Sequence, residues 1–256
     1  MSRTQEDPAC LIISRGAMLD GMNSKVVLIT GASSGIGEAT ARRLAAAGHQ
    51  VFLGARRIDR LVAIGKEIGS GHHELDVTSL ESMQEFVAAA HDQHGRIDVL
   101  VNNAGVMPLS MLEALRVDEW NQMIDVNLRG VLHGIAAVLP IMRDQRSGHI
   151  VNISSVSGLR VDPTAAVYSA TKFAVRALSE GLRQESRDIR VTVVSPGLTR
   201  SELTDGINDT DVRSAVRDQM DIAIPATAIA DAINYAIDQP AEVDVNELVI
   251  RPTAQG

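Results

Sequence analysis

Cysteine, aromatic residues and long apolar runs are scarce in this chain of 256 residues, which has one cysteine and is 2% aromatic. Because Cys10 has no second cysteine to pair with, an intrachain disulfide is excluded, and the sequence favours a reducing compartment such as the cytoplasm. The apolar run at residues 9–13 is too short for a signal sequence and follows acidic residues. No stretch reaches the roughly 20 apolar residues of a membrane span, so we expect no membrane partner.

Basic stripes and metal-ligand clusters are also missing from the sequence. The formal net charge is -8 and lysine and arginine form no run, so the sequence predicts no nucleic-acid partner. Four histidines lack suitably spaced cysteine or carboxylate neighbours, and we interpret them as solvated side chains rather than metal ligands: His72, His73, His91 and His94.

From residue 25 onward, the sequence contains a regular alternation of short apolar runs and longer helical segments. The runs predict strands at 26–30, 51–54, 73–77, 97–101, 149–153, 190–195 and 247–250, and helical periodicity covers 36–48, 79–94, 118–143 and 167–187. Strands that are apolar throughout are typical of a parallel sheet with helices on both faces. The pattern predicts a single α/β domain at 25–256, with a doubly wound, mostly seven-stranded parallel sheet. Residues 1–24 lack this pattern and are interpreted as an N-terminal extension that need not be ordered.

A glycine-rich turn follows the first predicted strand. Residues 30–37 read TGASSGIG, and a helical segment opens at Ile36. Glycine permits a close backbone approach, and a helix N-terminus offers unpaired N–H groups and a positive dipole end to a pyrophosphate. The Gly-Lys-Ser/Thr of an ATP-hydrolysing P-loop does not follow. The turn therefore predicts a nucleotide site with contacts from Gly31, Ser33, Ser34, Gly35, Ile36 and Gly37.

The second strand ends at Ala55, where proteins that prefer the unphosphorylated dinucleotide carry an acidic residue for the ribose 2′-hydroxyl. Arg56 and Arg57 follow instead, and a guanidinium group matches a phosphate that a carboxylate would repel. The pattern predicts NADP(H) in preference to NAD(H). The alternative is that both arginines simply begin a solvated helix at 58–68.

Tyr168, one of two tyrosines in the sequence, stands four positions before Lys172. On a helix this spacing places both side chains on one face, where the ammonium group favours the ionised phenol. Such a pair arises by chance on many helices, so its meaning depends on the motifs around it.

Seven motifs occur along the chain: TGASSGIG at 30–37, LDV at 75–77, NNAG at 102–105, DVNLRG at 125–130, NISSVSG at 152–158, YSATK at 168–172 and SPG at 195–197. In order and spacing they resemble the short-chain dehydrogenase/reductase family, in its compact single-domain branch, from about residue 25 to the C-terminus. The resemblance implies a Rossmann-like fold and an oxidoreductase that interconverts a carbonyl and a secondary alcohol. Within the family, RPT at 251–253 and the loop after SPG are similar to bacterial NADP-dependent reductases of the hydroxy-acid and clavulanate-dehydrogenase type.

The resemblance also implies a proton relay of four catalytic residues: Asn127, Ser155, Tyr168 and Lys172. Ser155, rather than Ser154 or Ser157, stands thirteen positions before the tyrosine. The tyrosine is implied to be the proton donor, with the lysine favouring its ionised form and holding the ribose, while Ser155 orients the substrate oxygen. Asn127 is implied to hold a water that links the lysine to solvent.

For the cofactor, the resemblance implies that Asp76 and Val77 face the adenine. Further implied contacts are Asn103, Ala104, Gly105, Tyr168, Lys172, Pro196, Gly197, Thr199 and Ser201. Two positions depart from the family pattern. Ser34 stands where many NADP-preferring members have a basic residue, so a 2′-phosphate would depend on the two arginines after the second strand. Ser201 stands where threonine is common, and its hydroxyl can make the same hydrogen bond.

The segment at 198–224 is more polar than a core helix, and we interpret it as a helical lid over the substrate, as in the family. Candidates for lining the substrate pocket are Met107, Leu109, Val161 and Met220. Arg160 either attracts a substrate carboxylate or is a surface charge, and the sequence leaves both open.

Helices 118–143 and 167–187 carry more apolar surface than one sheet face covers, which together with the resemblance predicts a homotetramer or a homodimer. Sedimentation as a monomer alone at micromolar concentration would contradict this. A nucleotide-sensing protein of the same fold without turnover stays an alternative, although such proteins usually lose the tyrosine or the lysine. An epimerase or dehydratase of the longer branch would need a larger C-terminal substrate domain.

Overall fold

The computed structural model describes residues 24–255, so the predicted N-terminal extension lies outside the described residues apart from Ser24. In the described part, seven parallel strands form one sheet in the order β3-β2-β1-β4-β5-β6-β7. The strands are β1 (Val26–Thr30), β2 (Gln50–Ala55), β3 (Gly71–Glu74), β4 (Val99–Asn102), β5 (Gly148–Ile153), β6 (Ile189–Pro196) and β7 (Glu247–Ile250). This confirms the predicted fold class, although β3 begins two residues earlier and β4 two residues later than the apolar runs indicated.

Helices cover both faces of the sheet. They are α1 (Gly35–Ala46), α2 (Ile58–Ile68), α3 (Leu80–His94), α4 (Val117–Met123), α5 (Gly130–Gln145), α6 (Ala166–Glu185), α7 (Thr210–Gln219) and α8 (Ala226–Asp238). One core cluster joins the sheet to α1, α2 and α8, and a second joins its other face to α3, α5 and α6.

Strand β1 shows why the predicted strands are apolar at every position. Val27 and Ile29 belong to the core cluster on the α1 face, whereas Val26 and Leu28 belong to the cluster on the α3 face. All four side chains are at most 5% exposed. Each such burial stabilises the fold by roughly 1.5–3 kcal/mol, so both faces of the strand contribute to stability.

The helix predicted at 118–143 is a continuous helical segment from α4 to α5 with a π turn, Ile124–Arg129, in its middle. A π turn inserts one residue into an α-helix and is frequent at functional sites. Here it carries Asn127, whose side chain is buried.

By length and hydropathy, the segment Val117–Gln145 meets the criterion for a helix that crosses a membrane, which the sequence reading did not anticipate. This is weak evidence for a span, because the core helices of soluble proteins meet the same criterion. Here α5 packs against α3, β4 and β5 as part of the core. Leu132 of α5 and Phe173 of α6 remain exposed, and the homotetramer or homodimer expected from these two helices stays a prediction.

Candidate active site

A cleft of about 1080 Å³ opens at the carboxyl ends of the strands, where the strand order reverses between β1 and β4. This is the position at which doubly wound sheets bind their ligands. The loops after β1, β4, β5 and β6 and the start of α6 form its walls. Every predicted cofactor contact lines this cleft except Gly37.

The turn after β1 requires glycine where the backbone approaches its neighbours most closely. Gly31 has a φ of +66°, and a Cβ there would lie 2.8 Å from the Cα of Ala104. Gly37 lies behind the cleft, where a Cβ would lie 2.4 Å from the carbonyl oxygen of Gly31. Helix α1 therefore packs directly on the turn, and its N-terminus borders the cleft at a place suited to a pyrophosphate.

Two side chains hold the walls of the cleft together, a role that the sequence did not reveal. The Nδ2 of Asn103 donates to the carbonyl oxygens of Thr30 and Gly31 at 2.9 and 3.2 Å. In return, the Oγ1 of Thr30 accepts from the N–H groups of Asn103 and Ala104, both at 3.1 Å. The phosphate loop and the loop after β4 thus form one bonded unit, and the amide of Asn103 is committed to it.

Arg57 contacts the phosphate loop directly. Its Nε donates to the Oγ of Ser33 at 3.1 Å, and its Nη2 donates to the Oγ of Ser34 at 2.7 Å. Arg56 also lines the cleft, with its side chain exposed. Arg57 directly precedes α2 and carries no side-chain cap for it, so the helix-start alternative does not explain its contacts with the two serines.

Glu202 also lines the cleft, next to Arg57, and the sequence did not predict this position. Its carboxylate accepts from Arg60 and from Arg57, each at 2.6 Å, and these bonds lower the pKa of Glu202 to about 2. The residue begins a 3-10 turn, Glu202–Gly206, inside the segment interpreted as a lid. That segment is therefore tied to the same arginine that contacts the phosphate loop.

Asp76 also lines the cleft, and its carboxylate is held by hydrogen bonds. Its Oδ1 accepts from the backbone N–H and the Oγ1 of Thr78 at 2.9 and 2.8 Å. These bonds, the backbone one above all, lower the pKa of Asp76, so it is charged at neutral pH and fixed in orientation.

Ser155, Tyr168 and Lys172 meet in the cleft, as their spacing predicts. Ser155 follows β5, while Tyr168 and Lys172 project from the first turns of α6, each 5% exposed. The side chain of Ser155 is hydrogen-bonded to the Tyr168 hydroxyl. The ammonium group of Lys172 donates to the carbonyl oxygen of Ile153 at 2.8 Å and lies 5.7 Å from the centroid of the Tyr168 ring.

Burial shifts the pKa values of Tyr168 and Lys172 in opposite directions. Desolvation raises the pKa of Tyr168 to about 12, while its hydrogen bond to Ser155 acts against this rise. Desolvation lowers the pKa of Lys172 to about 8. At neutral pH, Tyr168 is therefore a protonated phenol and Lys172 is mostly charged, which is a proton donor beside a cation.

Asn127 is buried behind this cluster rather than on the wall of the cleft. Its amide bonds both backbone groups of Val106, accepting from the N–H at 2.8 Å and donating to the carbonyl at 2.9 Å. It also donates to the Oγ1 of Thr171 at 3.3 Å, on the helix that carries the tyrosine. A Cβ on Gly105 would lie 3.4 Å from the Oδ1 of Asn127 and 3.8 Å from the Nζ of Lys172, so this glycine admits close packing between the loop and the cluster.

Ser154, the residue before Ser155, lies against the start of α6. The Oγ of Ser154 is buried and donates to the carbonyl oxygen of Lys172 at 3.1 Å, which fixes the start of α6 on the loop after β5. The predicted choice of Ser155 therefore agrees with the hydrogen bond that it makes to the tyrosine.

Three of the four predicted pocket residues, Met107, Leu109 and Met220, line the cleft. Val161 does not, and its side chain is 62% exposed. Within residues 24–255, no group of three His, Cys, Asp or Glu side chains has the arrangement of a metal site.

Comparison with known proteins places the chain among oxidoreductases. A family model described as short chain dehydrogenase matches residues 25–212. An uncharacterized oxidoreductase of Staphylococcus saprophyticus is 51% identical over 244 residues, covering 93% of this chain and 99% of the relative. One of Listeria monocytogenes is 45% identical over 244 residues, covering 91% of this chain and 98% of the relative.

Solved structures show the same architecture. An alcohol dehydrogenase from Thermococcus sibiricus, complexed with 5-hydroxy-NADP, is 34% identical with a TM-score of 0.81, covering 91% of this chain and 98% of that one. A serine dehydrogenase complexed with NADP+ is 33% identical with a TM-score of 0.82, at 88% and 94% coverage. A short-chain dehydrogenase/reductase from Burkholderia phymatum in complex with NAD is 27% identical with a TM-score of 0.80, at 89% coverage of each chain.

Proposed function

Since the chain belongs to the short-chain dehydrogenase/reductase family, we propose that it is an NADP(H)-dependent oxidoreductase that interconverts a small-molecule carbonyl and a secondary alcohol. The observation that carries this proposal is a buried tyrosine, hydrogen-bonded to Ser155 and neighbouring a buried lysine, in the same cleft as a glycine-rich phosphate loop.

The cleft fits a dinucleotide. The glycine-rich turn lines the cleft, and the N-terminus of α1 provides N–H groups for a pyrophosphate. When bound, the nicotinamide supplies a hydride to the carbonyl carbon or accepts one from the alcohol carbon. Negative charge then develops on the substrate oxygen during reduction, and a proton must reach that oxygen.

The residues of the cluster supply this proton. The hydroxyl of Tyr168 is protonated at neutral pH and would donate its proton to the carbonyl oxygen, to which the C–O π electron pair moves as the carbonyl carbon gains a hydride. The charged Lys172 stabilises the phenolate that is left, and Ser155 donates a hydrogen bond to the same substrate oxygen. Oxidation of the alcohol reverses these steps. The hydrogen bonds of Asn127 to Val106 support a positioning role for this residue, since they hold the loop that faces the cluster.

The preference for NADP(H) is supported by the contacts of Arg57. Its guanidinium group bonds two serines of the phosphate loop as well as Glu202. Together with the exposed Arg56, it places two basic groups beside the end of β2, where a ribose 2′-phosphate would lie. Relatives of known structure bind either cofactor, so the preference depends on this chain's own residues.

We expect Arg57→Ala to weaken NADPH binding by roughly 10- to 100-fold and NADH binding by less than threefold, because a charge-assisted bond to the 2′-phosphate is lost. Fluorescence titration of each cofactor measures both effects. Arg60→Ala is the matched control, since Arg60 shares the bond to Glu202 but contacts no serine of the phosphate loop. An equal loss for NADPH and NADH, or tighter binding of NADH than NADPH by the unaltered protein, would show that the 2′-phosphate is not recognised here.

A nucleotide sensor without turnover is the alternative function. It would bind NADPH in the same cleft but leave the cofactor unoxidised with every carbonyl compound offered. The intact cluster of Ser155, Tyr168 and Lys172 favours the enzyme, because binding alone does not require a buried proton donor beside a buried cation.

A further inference from the structure

The side of the cleft next to Tyr168 is apolar. The tyrosine belongs to a buried cluster with Leu109, Met123, Ala165 and Ile207, against which Val212 and Val216 of helix α7 pack. Leu109, Val212 and Val216 also line the cleft. A substrate whose carbonyl oxygen reaches the tyrosine must therefore place its remaining atoms against aliphatic side chains.

Apart from Lys172 beside the tyrosine, three charged side chains line this side of the cleft. They are Asp162, Asp211 and Arg160, and the guanidinium group of Arg160 lies 3.4 Å from the carboxylate of Asp162. A cation that is already paired gains less from a second carboxylate, and Asp211 adds a further negative charge. The sequence left two interpretations of Arg160 open. This pairing disfavours the one in which Arg160 attracts a substrate carboxylate.

Three segments that adjoin cleft-lining residues along the chain carry exposed aliphatic side chains. These are Met111, Leu112, Leu115, Leu159, Val161 and Ile222. Two of these segments are joined by a hydrogen bond from the N–H of Ser110 to the carbonyl oxygen of Thr164 at 3.2 Å.

We propose that the substrate is an uncharged carbonyl compound with an extended apolar group, and that the site discriminates against carbonyl compounds that carry a carboxylate. This inference rests on the proposed oxidoreductase function and names the substrate class for that site. The aliphatic wall supplies binding energy in proportion to the apolar area it covers, Asp162 pairs with Arg160, and Asp211 repels an anion.

A series of 2-alkanones from 2-butanone to 2-heptanone tests the apolar wall, with NADPH oxidation as the readout. We expect kcat/KM to rise by about threefold for each added methylene. Val216→Thr keeps the size of the side chain but adds a hydroxyl to the wall, and it should reduce this rise. A series that is flat or falls with chain length would overturn the proposal.

The discrimination against anions is tested with 5-oxohexanoate and its methyl ester, which differ by one charge. We expect kcat/KM for the ester to exceed that for the acid by at least roughly 30-fold. Asp162→Asn removes a partner of Arg160. The ratio of kcat/KM for the acid to kcat/KM for the ester should then rise at least about fivefold. Asp92→Asn is the control, because it makes the same change in charge on the exposed side of α3, away from the cleft. Turnover of the acid as fast as the ester would overturn the proposal.

A binding measurement separates failure of this inference from failure of the proposed function. Trp120, the single tryptophan of the chain, packs against the cluster that holds Tyr168, so its fluorescence reports on occupancy of the pocket. If no carbonyl compound oxidised NADPH, the oxidoreductase proposal would fail, while tighter binding of the ester than of the acid would still support an apolar, anion-excluding pocket. Equal or tighter binding of the acid would contradict it.

Discussion

Replacing Tyr168 by Phe should lower kcat for NADPH-dependent carbonyl reduction by roughly 10³-fold or more, while the dissociation constant of NADPH changes by less than about twofold. The hydroxyl is the group that donates the proton, and it is buried with Ser155 as its hydrogen-bond partner. Removing it leaves the ring in place, so the apolar cluster around Leu109 and Ala165 keeps its packing. Steady-state kinetics and a cofactor titration on the same preparation separate the two effects.

Tyr235→Phe is the matched control for this prediction. It is the same chemical change at the other tyrosine of the chain, which lies 55% exposed on helix α8. We expect this variant to keep full activity. If Tyr168→Phe kept more than about a tenth of the activity, the hydroxyl would not be the proton donor. The role of Tyr168 would then be to pack in the apolar cluster.

Lys172→Met should lower kcat by roughly 100-fold and also weaken NADPH binding, because the lysine both stabilises the phenolate and is expected to hold the ribose. Methionine keeps most of the buried volume and removes the charge. A variant that lost cofactor affinity but kept kcat would show that the lysine serves binding alone.

The pH dependence of kcat/KM for reduction distinguishes the charge of Lys172 from its shape. Lysine is charged below its pKa, and burial lowers the pKa of Lys172 to about 8, so its support for the phenolate is present at neutral pH and lost as the pH rises through 8. We therefore expect the rate of reduction by the unaltered protein to fall above that pH. Tyr168, with its pKa raised to about 12, stays protonated across this range and is not the group that titrates. Lys172→Met should lose this fall in rate.

The fold and much of the candidate site follow from local features of the sequence. Apolar runs with no polar alternation predict doubly covered strands, and the fold class is confirmed by the order of the sheet and its two core clusters. The four-residue spacing of Tyr168 and Lys172 predicts one helix face, and both side chains indeed lie together in the cleft. In each case, residues that are close together in the sequence are enough to make the prediction.

Contacts between distant segments could not be predicted in this way. The bond between Glu202 and Arg57 joins the loop after β6 to the end of β2, and neither segment carries a pattern that specifies the other. The same holds for the bonds of Asn127 to Val106 and Thr171, which join three segments of the chain. That Asn127 also holds a water stays a prediction. Val161 is a candidate pocket residue by sequence, but its side chain is exposed and does not line the cleft.

The most direct test of hydride transfer uses NADPH that carries deuterium at the transferable position of the nicotinamide. The protein is incubated with this cofactor and 2-heptanone, and the 2-heptanol formed is examined by mass spectrometry. Direct transfer predicts one deuterium on the carbinol carbon of each alcohol molecule, and Tyr168→Phe should form almost no alcohol. Formation of alcohol without deuterium, or tight binding of NADPH with no alcohol from any ketone, aldehyde or 3-oxo ester, would contradict the proposed oxidoreductase function.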